Sequence, residues 1–349
     1  MRFRISHRVR IPVAFFAAFA APAIASASTA DRVVLTLTPP AEDVWVYTFG
    51  QGAFATAAPT FAGDFSDPFP DRFGTLFLTF DASGFVPDSD RPIRLTGFSL
   101  ELSMLNSSTF DQTDGVFYDP TYDPVASYVD PSTDTDPGRP IELYAVGYRN
   151  GFTFETWRDA NYPVSGADGY NAVPIDFPSD SHAGRRVDDS VSDGFDTFPL
   201  AIGTTPDLVE ATDGTLRVLD LARWTFEAAD LTRAESDFFT AQIDAGSISF
   251  MVSSLQLAGF DGMGGEEIYP RFATLETVFP IEDAKVELSI AVSPPSDVNT
   301  DFTVDLEDLY AWEQGTGLRD VDEDGSVTAA DRSALIATLR KDELADVAP

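Results

Sequence analysis

Cysteine is absent from the 349 residues, which excludes disulfides, a lipid-modified cysteine and thiolate catalysis. Lysine is confined to Lys285 and Lys341, and histidine to His7 and His182. Basic residues number 22 against 57 acids, for a net charge of -35. Such a field repels phosphate, so nucleic acid is excluded as a partner and divalent cations are the natural counter-ligands. Long apolar runs are also lacking, apart from residues 11–19. That run follows Arg2, Arg4, Arg8 and Arg10 and precedes the small residues Ala25-Ser26-Ala27, the pattern of a secretory signal peptide over residues 1–27. It falls short of the roughly 20 apolar residues of a membrane span. The expected destination is extracellular or cell-surface, with no transmembrane segment after cleavage.

What is present from residue 33 onward is alternation of period two. Phe98, Leu100, Leu102 and Met104 alternate with polar residues, as do Val286, Leu288, Ile290 and Val292, which predicts strands with one buried face. Further strands are predicted at 33–37, 44–49, 76–80, 141–148, 152–157, 216–221, 248–255 and 272–277. A helical turn or two is expected over 230–243, capped by Asp230. Gly, Pro and Asp clusters separate the strands, notably in the long loops 106–140 and 161–196. The expected fold is mostly β: a large β-sandwich or jelly roll over 28–292, a linker at Ser293-Pro294-Pro295-Ser296, and a small α-helical domain with paired calcium loops over 297–345.

The small domain carries the clearest chemistry. Calcium takes hard oxygen ligands, and a twelve-residue loop can wrap it with side chains at positions 1, 3, 5 and 12 and a backbone carbonyl at position 7. One copy offers Asp320, Asp322, Asp324, the Ser326 carbonyl and Asp331, with Gly325 at the sharp turn of position 6 and Val327 inward at position 8. An earlier copy offers Asp297, Asn299, Asp301, the Thr303 carbonyl and Asp308, with Val304 at position 8. Its sixth position is Phe302, for which that turn is costlier. The second loop is therefore expected to bind calcium more tightly. Apolar stripes follow each loop: Leu306, Leu309 and Tyr310, then Leu335, Ile336 and Leu339. The bland alternative is an acidic tail with fortuitous spacings.

Two calcium loops, 23 residues apart and each followed by one helix, resemble a type I dockerin over residues 297–340. Asp at position 12 agrees with that family. The resemblance implies two bound calcium ions and docking to a cohesin-like module, or another extracellular protein. Loop positions 10 and 11, here Leu306-Glu307 and Ala329-Ala330, would lie at the docking surface; better-known members often carry Ser-Thr there.

In the large domain, residues 75–81, 93–104 and 141–157, with Pro270-Arg271-Phe272 near the end, resemble a DNRLRE-type secreted sandwich. That resemblance implies a structural or surface-binding module without catalytic residues. His182 alone supplies no zinc site, and no His-Glu-x-x-His or Glu-x-Asp-x-Glu motif is present. Paired carboxylates from distant loops leave a polysaccharide hydrolase or lyase open. Trp157, Tyr162 and Tyr170 are candidates for an aromatic platform in a polysaccharide-binding module, or else they pack the loops. The expected function is non-catalytic: a secreted protein attached to an extracellular partner through its C-terminal module.

Overall fold

The computed structural model describes residues 31–47, 56–61, 74–85, 91–105, 116–117, 140–157, 171–178, 184–187, 197–210, 216–218, 221–254, 270–278 and 281–345. The chain divides into two compact units, Ala30–Pro294 and Pro295–Pro349. It is mostly β, with three helices among the described residues.

In the larger unit, eleven strands form one curled antiparallel sheet. Its path runs β1 (Asp31–Leu37), β16 (Lys285–Val292), β5 (Ile93–Ser103), β13 (Arg223–Ala228), β10 (Ala201–Thr204), β7 (Ile141–Tyr148), β14 (Ser247–Ser254), β4 (Gly74–Asp81) and β2 (Glu42–Tyr47). Alongside β7 lies β8 (Ala172–Asp176), which pairs in turn with β9 (Arg185–Arg186). The sheet turns at β10, whose Ala201 and Ile202 pair with β7 while Gly203 and Thr204 pair with β13. A Cβ on Gly203 would meet the Phe226 ring at 2.7 Å, so only glycine fits this crossing. Two small sheets complete the unit: β11 (Leu208–Glu210), β12 (Leu216–Val218) and β6 (Val116–Phe117), and the pair β15 (Arg271–Ala273) and β3 (Ala57–Pro59).

Strand β5 shows how the core is kept continuous. Ile93 and Leu95 face inward at odd positions, whereas Phe98, Leu100 and Leu102 face inward at even ones. The register against β16 slips between Ser289 and Ile290, skipping Thr96. This bulge inserts one residue, and that insertion reverses side-chain parity. Leu95, beside the bulge, is served by helix α1 (Arg233–Asp244): Thr240 Oγ1 accepts from its N–H at 3.0 Å and Ser236 Oγ donates to its carbonyl at 2.6 Å. Phe239 of α1 packs against Phe98 and Phe250, with ring centroids 5.9 and 5.4 Å apart. Burial of each such ring contributes about 2–3 kcal/mol. The cap of α1 is Thr232, in a capping box with Glu235; this corrects the expectation that Asp230 would cap it.

Other expectations also change. Residues 152–157 form turns instead of a strand. Asn150 and Gly151 take left-handed φ of 56 and 82, and the Thr156 hydroxyl oxygen accepts from the Thr153 N–H at 2.8 Å, which competes with strand pairing. The predicted loop 161–196 contains β8 and β9, and 106–140 contains β6. The sheet beyond β13 also holds β10, which the alternation pattern did not reveal.

The second face of β7, β14 and β4 is mixed. Along β7 it carries Glu142, Tyr144, Val146 and Tyr148, since alternate residues share a face. Glu142 is buried and accepts from Tyr144 Oη at 2.7 Å, and Thr197 Oγ1 lies 2.9 Å from the same hydroxyl. Beside it, Asp176 is held bidentately by Arg185 at 3.0 and 2.6 Å and by the Phe198 N–H at 2.8 Å. Burial pushes the Glu142 carboxyl up to about 7, against the lowering effect of its two hydroxyl partners.

The smaller unit holds helices α2 (Leu306–Gln314) and α3 (Ala329–Ala345) around Val298, Val304, Val321 and Leu335. Gly315, with φ of 74, caps α2, and its N–H bonds back to the carbonyls of Ala311 and Trp312. Arg319 stacks over Trp312 at 4.7 Å, and Trp312 Nε1 donates to the Arg319 carbonyl at 3.1 Å. A Cβ at Gly317 would fall 1.9 Å from the Val298 carbonyl oxygen, so no side chain fits there. Among the described residues no helix is long and apolar enough to cross a membrane.

Candidate metal centre

Loops 297–308 and 320–331 fold by the same local chemistry. In each, the position-1 carboxylate accepts from the N–H groups of positions 5 and 6. Asp297 takes Asp301 at 3.1 Å and Phe302 at 2.8 Å; Asp320 takes Asp324 at 3.1 Å and Gly325 at 2.8 Å. Position 3 accepts from position 5, as Asn299 from Asp301 at 3.0 Å and Asp322 from Asp324 at 3.3 Å. Position 5 accepts from position 7, as Asp301 from Thr303 and Asp324 from Ser326, both at 2.8 Å. Acidic side chains thus wind the backbone of each loop around themselves, in Asx-turn fashion.

Such winding needs left-handed residues. Position 4 is left-handed in both loops, with φ of 63 at Thr300 and 58 at Glu323, and so is position 6, with φ of 71 at Phe302 and 85 at Gly325. Glycine adopts this conformation without steric cost and phenylalanine does not. Phe302 does occupy the left-handed conformation that the sequence marks as costlier for it than for Gly325.

The position-12 carboxylates are buried and tie each loop to its helix. Asp308 accepts from the N–H of Asn299 at 3.0 Å and of Asp305 at 2.8 Å. Asp331 accepts from Val321 at 2.8 Å, Asp322 at 3.2 Å and Thr328 at 2.6 Å, with the Thr328 hydroxyl at 3.3 Å. Their titrations move in opposite directions. Burial dominates at Asp308 and pushes it up to about 6, whereas the Thr328 amide and its companions pull Asp331 down to about 2.

Of the ten expected ligands, Asp320, Asp322 and Asp324 offer carboxylate oxygens all within 4.8 Å of one another, a group that could hold a metal ion. It is the one such acidic group among the described residues. Asp322 is raised by burial and by the charges of Asp324, Asp331 and Asp320, and a divalent cation would relieve that mutual repulsion. In the first loop Asn299 replaces the middle carboxylate, so Asp297, Asp301 and Asp308 present less charge. Residues Thr303 and Ser326 enter through their N–H groups in the turns just described.

Several expected side chains lie elsewhere. Val304 is buried at 4% exposure, but Val327, also at position 8, is 51% exposed. The buried apolar residue of the second loop is Val321, at position 2, matching Val298 in the first. Leu306 and Tyr310 are 58% and 62% exposed, so the inward stripe of α2 is Leu309 and Trp312, three residues apart. The four candidate docking residues, Leu306, Glu307, Ala329 and Ala330, are all exposed at the starts of α2 and α3. Trp157 is only 2% exposed, with its ring 4.2 Å from that of Phe77, so it packs against the sheet and presents no open platform. Tyr162, Tyr170 and His182 lie outside the described residues. The buried Glu142 network is nearly silent in the sequence; its one signal is Glu142 and Tyr144 on the polar phase of an apolar strand. No family model matches the chain, and no match to it was found among curated proteins.

Proposed function

We propose that residues 297–345 form a dockerin-like module that binds two calcium ions, and that through it a secreted, non-catalytic β-sandwich protein docks to an extracellular scaffold or cell-surface protein of the cohesin kind. One observation carries this reading: the amide-to-carboxylate pattern of 297–308 repeats 23 residues later in 320–331, and each loop leads into a helix. Repetition of a whole hydrogen-bond pattern is not what a solvated acidic tail would produce. The converging Asp320, Asp322 and Asp324 oxygens suit a hard cation, and the net charge of -35 favours its capture. Because the ligands stand directly on the backbone of the small core, calcium binding should add to the stability of the folded module.

Calcium should raise the melting temperature of the module and chelation should lower it. A partner from the extracellular fraction should be retained by the full chain in calcium and released by chelator. Retention of the same partner by an Asp297→Ala/Asp320→Ala chain would refute docking through this module.

A further inference from the structure

We propose that Glu142 operates a proton-controlled clasp on the second face of the large sheet: its protonated form fastens residues 197–200 to β7 and β8, and its ionised form makes that segment open more readily. The register explains what meets there. β8 and β10 both lie on the edge of β7 opposite β14, β8 along residues 145–148 and β10 along 142–143. Residues 197–200 lead into β10 at this junction, where the Leu200 N–H donates to the Leu143 carbonyl at 2.8 Å. Continuing the pairing of Ala145 with Ile175 sets Asp176 opposite Tyr144, so Glu142, Tyr144 and Asp176 share one face.

Two buried carboxylates anchor the segment, and they are neutralised differently. Asp176 takes the Arg185 guanidinium bidentately and accepts from the Phe198 N–H at 2.8 Å, while Arg185 also lies over the Phe198 ring at 5.6 Å. That anchor is an ion pair and keeps its charge. Glu142 is faced by Tyr144 on its own strand, by Thr197, and by Asp176 from β8 with Arg185 of β9 beyond it; the flanking β10 and β14 contain no titratable side chain. Three contacts form a ring: Glu142 Oε2 to Tyr144 Oη at 2.7 Å, Tyr144 Oη to Thr197 Oγ1 at 2.9 Å, and Thr197 Oγ1 to Glu142 Oε1 at 3.4 Å. The two hydroxyls bring two protons to these three contacts. A proton on Glu142 supplies the third, so that each group donates once and accepts once. Its loss leaves a buried charge beside the Asp176 carboxylate, a cost that opening of 197–200 relieves by admitting water. Burial, opposed by the two hydroxyls and reinforced by the Asp176 charge, raises Glu142 from 4.5 to about 7. The raised value means that the clasp is tightest below 4.5 and weakens as pH rises through about 7.

The test is amide hydrogen exchange of the full-length protein at roughly pH 5.5 and pH 8.5, normalised to unstructured-peptide rates. The amides to follow are those of Phe198 and Leu200, with Leu288 of β16 as a remote reference. Protection of Phe198 and Leu200 should fall at least about tenfold at the higher pH relative to Leu288. Glu142→Gln keeps a neutral donor in the ring and should abolish this pH dependence, whereas Thr197→Val should lower protection at both pH values. The native chain alone decides the first point, whatever the stability of the variants. Equal protection of Phe198 and Leu200 at the two pH values, an equal loss at Leu288, or an undiminished pH dependence in Glu142→Gln would overturn the proposal.

Discussion

Loops 297–308 and 320–331 share a scaffold and differ at the positions that set charge and strain. Position 3 is Asn299 in one and Asp322 in the other; position 6 is Phe302 in one and Gly325 in the other. Both position-12 carboxylates are shielded from solvent, yet Asp308 is raised and Asp331 lowered. At Asp308 burial, helped by the charge of Asp297, outweighs the amides of Asn299 and Asp305; at Asp331 the Thr328 amide outweighs burial. Burial alone makes a carboxylate hold its proton, and enough N–H donors reverse that.

Glu142 in the large unit is the limiting case of burial without amides, and it carries the largest expected effect. Its carboxyl rises from 4.5 to about 7 in the fold, so the folded state binds the extra proton between those values. Stability is then full below about 4.5 and lost as pH rises to about 7, by about 3 kcal/mol. Denaturant unfolding of Glu142→Gln should lack this component, so the variant should gain on the native protein above pH 7. A pH-independent difference between the two would break the burial argument.

Next comes the contrast between the loops themselves. In calcium-free protein, carboxyl NMR should show Asp308 titrating near 6 and Asp331 near 2. Calcium should depress the Asp308 value, because a bound cation favours the charged form. Similar values for the two residues would erase the distinction drawn from their amide partners.

The smallest effect expected is conformational. Replacing Phe302 with glycine should relieve about 1 kcal/mol of left-handed strain, raising the calcium affinity of the first loop about fivefold. Gly325→Phe should lower that of the second by a similar factor. Calorimetry of the two variants separates this strain from the effect of charge, which neither substitution alters.

Much of this was legible in the sequence where a rule is local. Alternation located β4, β5, β7, β14 and β16, and carboxylate spacing located both loops and their helices. Legibility failed where tertiary packing decides. The bulge at Thr96 reverses the parity of β5 and leaves no mark in the composition. Position 8 was expected to point inward twice, but the small core fills with Val298 and Val321 from position 2, leaving Val327 outside. Trp157 reads as a platform residue because tryptophan is enriched in such sites, and only the turn that follows Gly151 lays it on Phe77. The strands β8 and β9 escaped because their loop is rich in turn residues and β8 itself contains Pro174.

Whether the two loops act as unequal calcium sites, as proposed, is tested most directly by calorimetric titration of calcium into the full-length protein and its Asp297→Ala and Asp320→Ala variants. Two binding events of unequal affinity are expected, with Asp320→Ala removing the tighter and Asp297→Ala the weaker. Loss of the tighter event in Asp297→Ala, or no calcium binding by the native chain, would contradict the account.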